Sequence, residues 1–163
     1  MVKIALYHEK YFTDLSSYEL DEVQAQFTDL PRRILKDPLI LNKENRFQYC
    51  ILYNEKPAGF FSLDLSEDRF MYTDNPKSIL LRALSVMPQF QGKGVAKEAM
   101  LLLPSFVKLH FAEVNEIVFG VNLDNEGAYN LYLRSGYIDA GKIYVGIKGP
   151  QHVMSKNIVN VTP

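Results

Sequence analysis

The chain is short of several things at once. It has one cysteine, Cys50, and no tryptophan. A lone cysteine excludes an internal disulfide and matches a reducing compartment, so the cytoplasm is the expected location. No stretch approaches the roughly 18 apolar residues of a membrane span. Met1 to Lys10 includes His8, Glu9 and Lys10 and lacks the apolar core of a signal peptide. Net charge is almost absent as well. Lys and Arg total 18 against 19 Asp and Glu, so no global attraction for nucleic acid or an anionic membrane is expected. His8, His110 and His152 are far apart and show no metal spacing, so no metal is expected. No Ser-His-Asp order and no glycine-flanked nucleophile elbow is visible.

What remains is the composition of a globular protein. The chain has 163 residues, 47% hydrophobic and 23% charged, which predicts a single domain over residues 1–163 with a core that needs no metal or disulfide. Cys50 lies in the apolar run 47–53, where a buried hydrophobe is the expected role, since a reactive thiolate wants an electropositive, polar setting.

Periodicity orders the elements. Ile4, Leu6 and His8 alternate on a first strand, and residues 11–27 read as a helix, with Ser16 and Glu19 at capping-box spacing. Leu30 to Leu35 is a short helix ended before Pro38. Phe47, Tyr49, Ile51 and Tyr53 alternate, Asn54 to Pro57 turns, and Phe61, Leu63 and Leu65 return, so residues 46–65 form a hairpin. Ile79 to Val86 is a fourth strand. Gly92 to Phe111 is helical, with Pro104 expected to kink or break it. Glu116 to Val121 is a strand, Asp124 to Ser135 a helix stopped by Gly136, and residues 137–147 and 153–158 are two further strands. This pattern predicts an α/β or α+β sandwich with about seven strands.

Two segments carry chemistry. From Leu84 through Ala96 a strand runs into a glycine-rich turn that opens a helix. The first amides of a helix lack internal partners, the helix dipole adds positive charge there, and glycine lets an anion approach the backbone. Gly92, Gly94 and the amides of Lys93, Val95 and Ala96 can cradle a diphosphate; they can equally be a plain turn. The spacing fails the triphosphatase loop G-x-x-x-x-G-K-[ST], and Lys97 occupies the place of the third small residue in a dinucleotide fingerprint. A nucleotide-binding protein is therefore a distant alternative. In the second segment Asn125, Ala128, Tyr129 and Tyr132 share one helix face, either as a capped amphipathic helix or as a ligand-facing surface.

Together the two segments resemble the GNAT superfamily of acyl-CoA N-acyltransferases. The family's phosphate motif [QR]-x-x-G-x-[GA] is met by Gln91, Gly94 and Ala96, and its later motif N-x-x-A-x-x-L-Y-x-x-x-G-[FY] by Asn125, Ala128, Leu131, Tyr132, Gly136 and Tyr137. The resemblance implies a mixed, mostly antiparallel sheet flanked by helices and splayed between its fourth and fifth strands. It implies acetyl-CoA as cosubstrate, with pantetheine along Leu84, Ser85 and Val86 and the pyrophosphate on the turn Gln91 to Ala96. Asn125 would contact the pantetheine arm beside Ala128, and Tyr132 would be the general acid. The activity so implied is transfer of an acetyl group to a primary amine by direct attack in a ternary complex. A non-catalytic acyl-CoA sensor or interaction module on the same fold is the alternative.

The acceptor is expected to be a small-molecule or protein amine, with a homodimer as a permitted assembly. The general base stays open among Asp64, Glu67 and Glu116, because residues 78–86 lack the carboxylate the family often has there. Several tyrosines of the first half, Tyr7, Tyr11, Tyr18, Tyr49, Tyr53 and Tyr72, are expected near the acceptor cleft, with core packing as the default for each.

Overall fold

The computed structural model describes residues 1–163. The strands are β1 (Val2–Leu6), β2 (Arg46–Tyr53), β3 (Lys56–Asp64), β4 (Ser78–Val86), β5 (Glu116–Asn122), β6 (Ile138–Gly146) and β7 (Gly149–Asn157). They form one sheet in the order β1-β2-β3-β4-β5-β7-β6, antiparallel throughout except for β4 and β5. The helices are α1 (Phe12–Ser17), α2 (Glu22–Ala25), α3 (Pro31–Leu35), α4 (Pro38–Leu41), α5 (Val95–His110) and α6 (Glu126–Arg134). The expected seven-stranded, mostly antiparallel fold is what forms.

Each face of the sheet has its own core. Tyr49, Ile51, Phe61, Leu63, Ile117 and Phe119 project toward α5 and α6. Cys50, Leu52 and Phe60, alternating with them, project toward α1 and α3, where they meet Leu15, Ile34 and Leu35. Burial pushes the Cys50 thiol up to about 12, so this cysteine stays a thiol and acts as a small hydrophobe.

Three local expectations are corrected. Residues 11–27 do not form one helix. The chain leaves the helical conformation at Tyr18 (ψ 152°) and restarts as α2, capped by the Asp21 carboxylate, which accepts from Gln24 N–H at 2.8 Å. Ser16 caps nothing; its hydroxyl donates back to the Phe12 carbonyl at 2.5 Å, the local competition that serines offer inside helices. The early hairpin turns on Asn54 and Glu55 alone, both with positive φ, and Lys56 and Pro57 already belong to β3.

The third concerns Pro104, which does not break α5 but lies inside it. Proline has no N–H for the carbonyl four residues back, Met100. The buried hydroxyl of Tyr137 donates to that carbonyl at 2.8 Å. A side chain from beyond α6 thus replaces the missing backbone donor. Tyr137 is set in place by the end of α6: Gly136 has φ 89°, its N–H donates to Leu133 and Tyr137 N–H donates to Tyr132, the paired bonds of a left-handed helix stop.

Candidate functional site

Strands β4 and β5 run parallel and pair only at Ser78–Leu80 with Glu116–Val118. Beyond Leu80 and Val118 they diverge, which opens the sheet toward Val86 and Asn122. Ala83 marks the bend: its φ is 57°, a left-handed conformation that costs an alanine about 1 kcal/mol, and the β3–β4 register slips between Phe60 and Ser62 at the same place. A cavity of about 510 Å³ fills the opening and passes through the sheet.

One side of the cavity is made of backbone. None of the N–H groups from Gly92 to Lys97 donates a well-formed hydrogen bond to any protein acceptor; the first N–H of α5 to do so is that of Glu98, to the Gly94 carbonyl. Gly92 and Gly94 both have positive φ, 75° and 79°, and a Cβ on either would point into open space. The turn is therefore not plugged by its own side chains. A row of free amides at the positive end of a 16-residue helix can hold a diphosphate.

Tyr132 stands across the same cavity. Its ring is half-buried, edge-on to Phe119 at 4.8 Å, and no protein group accepts from or donates to its hydroxyl. Burial pushes this phenol up to about 12. Such a phenol remains protonated through the whole physiological range and is a hydrogen-bond donor rather than an acid of matched strength.

The other expected residues are distributed unevenly. Leu84, Ser85, Val86, Gln91, Gly92, Gly94, Val95, Ala96, Asn125 and Ala128 all line the cavity; Lys93 does not, although its backbone N–H is free. Asn125 is the N-cap of α6, its Oδ1 accepting from Ala128 N–H at 3.3 Å, and its Nδ2 is left without a protein partner. Ser85 is buried against the Tyr18 hydroxyl at 2.6 Å. The Gln91 amide donates to the Val86 carbonyl at 3.0 Å and pairs with Gln24 in both directions, at 3.1 and 3.2 Å. Tyr129 leaves the group: it turns outward, donating to Asp139 at 2.9 Å with its ring tilted against His152 at 4.5 Å.

The carboxylates nominated as bases are not at the cavity. Asp64 is fully buried. Burial alone would raise its pKa, but hydrogen bonds from Ser66 and Arg82 outweigh this and hold it below the usual carboxylate range. Glu116 sits at the closed end of the β4–β5 opening, accepting from Thr73 at 3.0 Å. Glu67 lies in the short 3-10 turn Glu67–Met71. None of the three is a cavity wall.

Residues that no motif marked form the opposite mouth: Leu20, Gln24, Phe27 and Thr28 from the α2 region, and Arg82 on β4. The tip of the β6–β7 hairpin closes toward them, with Lys148 Nζ donating to the Ala25 carbonyl at 3.4 Å. None of the tyrosines expected near the cleft lines the cavity: Tyr72 packs against Tyr144 at 4.8 Å beside Gly120, and Tyr49 faces α5 on the other side of the sheet.

Comparison with known proteins agrees with this architecture. The acetyltransferase (GNAT) family matches residues 6–137. The uncharacterized N-acetyltransferase YbbJ of Bacillus subtilis (strain 168) is 36% identical over 154 residues, 94% of this chain and 95% of that protein. Among solved structures, the aminoglycoside acetyltransferase AAC(6')-Ib in complex with coenzyme A and kanamycin superposes with a TM-score of 0.78 at 17% identity, over 96% of this chain and 95% of that one. The spermidine N-acetyltransferase of Vibrio cholerae in complex with CoA and spermine gives 0.69 at 12% identity, with 96% and 95% covered. The free amide row, the splayed parallel strands and these likenesses converge: the chain belongs to the acetyltransferase (GNAT) family and is an acyltransferase with acetyl-CoA as its cosubstrate.

Proposed function

We propose that residues 1–163 act as one N-acetyltransferase domain that moves the acetyl group of acetyl-CoA directly onto a primary amine. The observation that carries this is the shared cavity: unpaired amides of residues 92–97 on one wall and the free Tyr132 hydroxyl on another. The amides of Gly92 to Ala96 hold the pyrophosphate. Leu84, Ser85 and Val86 present the unpaired edge of β4 to the pantetheine amides, and Asn125 Nδ2 offers one more donor beside Ala128.

The amine nitrogen attacks the thioester carbonyl carbon, a C–N bond forms and the C–S bond breaks. The sulfur leaves as thiolate and the amine proton is lost to water. Tyr132 donates a hydrogen bond to the departing sulfur. A thiol of pKa about 8.5 is a stronger acid than a phenol near 12, so complete proton transfer is uphill by roughly 5 kcal/mol. Stabilisation of the developing charge is therefore the larger part of its role. No cavity-lining side chain is a carboxylate, so the acceptor amine has to arrive neutral, at roughly 4.6 kcal/mol for a pKa of about 10.4 at pH 7.

The alternative, a non-catalytic acyl-CoA sensor, is favoured by one observation, that missing carboxylate; the free hydroxyl of Tyr132 and the family membership favour transfer. Thiol release from acetyl-CoA across a panel of small amines and lysine peptides decides between them. Amine-dependent release supports transfer, and tight acetyl-CoA binding with no release from any amine supports the sensor. The cytoplasm remains the expected location, on the strength of the cysteine usage. Edge strand β6 exposes Ile143 and Val145, a surface where a second copy could pair; sedimentation decides between monomer and homodimer.

A further inference from the structure

The two charged side chains lining the cavity are both cationic, Arg82 and Lys97. Lys97 belongs to the first turn of α5, on the side of the free amides. Arg82 is on β4 one residue before the bend at Ala83, on the face that also carries Asp64. Its guanidinium is held from behind. One nitrogen, Nη1, donates to both Asp64 at 2.9 Å and Asp68 at 2.7 Å. Asp64 is fully buried, so that contact is rigid. Nε and Nη2 donate to no protein group, and the side chain is 31% exposed.

A guanidinium anchored through Nη1 presents the remaining Nε–Nη2 edge as two parallel donors, the geometry that matches both oxygens of one carboxylate. We propose that the acceptor is a small amine that also carries a carboxylate, as free amino acids do, and that Arg82 selects it by a bidentate pair made through Nε and Nη2. This rests on the transferase function proposed above and names the substrate class of that same site.

Charge balance agrees. Asp64 and Asp68 offset Arg82, and the buried guanidinium of Arg46 lies close enough behind that Arg82 adds to the burial which lowers its pKa. The two guanidiniums and two carboxylates sum to no net charge; Arg46 donates to Ser62 rather than to either aspartate, and of the two arginines only Arg82 lines the cavity. A polycation would find no carboxylate on the cavity wall, only the cations Arg82 and Lys97. Gln24 and Thr28, at the same mouth as Arg82, add neutral polar groups and no negative charge.

The test is thiol release from acetyl-CoA with α- and ω-amino acids, the carboxamide of each, spermidine and an aminoglycoside, corrected for amine pKa. At least one acid should exceed its own carboxamide in kcat/KM by on the order of 10- to 100-fold, the worth of a charge-assisted pair. Arg82→Lys keeps the charge opposite Asp64 but lacks the fork, and should reduce that ratio. Arg82→Gln combined with Asp64→Asn, which leaves no buried carboxylate unpaired, should bring it near one. The wild-type ratio needs no variant, so it decides even if the double variant does not fold. A ratio near one in the wild type, a ratio unchanged by Arg82→Lys and the double variant, or faster release with spermidine or the aminoglycoside than with every acid would overturn the proposal while leaving the transferase function standing. Acetyl-CoA binding with no release from any amine would remove both.

Discussion

The two mouths of the cavity are built on different principles. On the side of α5 and α6 the groups displayed are backbone amides and one phenol, placed by local signals within residues 91–97 and 125–132. On the opposite side they are side chains brought from distant places, Leu20, Gln24, Phe27 and Thr28 near α2 and Arg82 on β4. Backbone amides at a helix start are displayed wherever the turn forms, whatever the side chains. A side-chain wall depends on each residue and on the packing that aims it. A family can therefore keep one mouth while the other varies with the acceptor.

That contrast can be broken or sharpened. The largest effect is expected at Tyr132, the one side chain on the backbone-built side proposed to meet the sulfur. Tyr132→Phe should lower kcat by on the order of 10²- to 10⁴-fold while the Kd for acetyl-CoA changes little, measured by steady-state kinetics and calorimetry. A kcat within twofold of wild type removes Tyr132 from the chemistry. Next, with no carboxylate on the cavity wall, log kcat/KM should rise by about one per pH unit up to the amine's own pKa. No descending limb from Tyr132 should appear below about pH 11, because its folded pKa is raised to about 12 and the protonated donor is lost only as pH passes that value. A plateau near pH 7 would reveal a protein base.

Smaller effects should follow. Tyr137→Phe leaves the Met100 carbonyl opposite Pro104 without a donor in a buried place. It should cost about 1–3 kcal/mol in denaturant unfolding, and an unchanged midpoint would mean that the carbonyl finds another partner. Gly94→Ala meets no steric obstacle but forces φ 79° on a residue with Cβ, at about 1–2 kcal/mol. Acetyl-CoA affinity should fall together with stability. Asn125→Ala removes the cap of α6 for about 1 kcal/mol, and a loss of acetyl-CoA affinity beyond that would reveal a ligand contact through Nδ2.

Legibility in the sequence follows the same division. Alternating residues such as Phe47, Tyr49 and Ile51 announced β2, and the glycine turn and the α6 cap were readable because their signals lie within a few residues of one another. Residues 11–27 misled because a helical period says nothing of the break at Tyr18, whose hydroxyl is held by Ser85 from β4. A break at Pro104 does not form because its compensation comes from Tyr137, far along the chain. Asp64 reads as a candidate base because its partner Arg82 lies on the next strand, 18 positions away. The mouth near α2 carried no motif at all, because its residues become neighbours only when α2 folds back over β4.

Sequence alone determined the strand periods, the glycine turn that opens α5, the cap of α6 and the family resemblance, since each depends on backbone geometry and near-neighbour spacing. Tertiary structure decided the divergence of β4 from β5, the withdrawal of every nominated carboxylate from the cavity and the orientation of Arg82. Those depend on which distant side chains meet, and a Coulomb or hydrogen-bond partner supplied from another strand leaves no mark in local pattern.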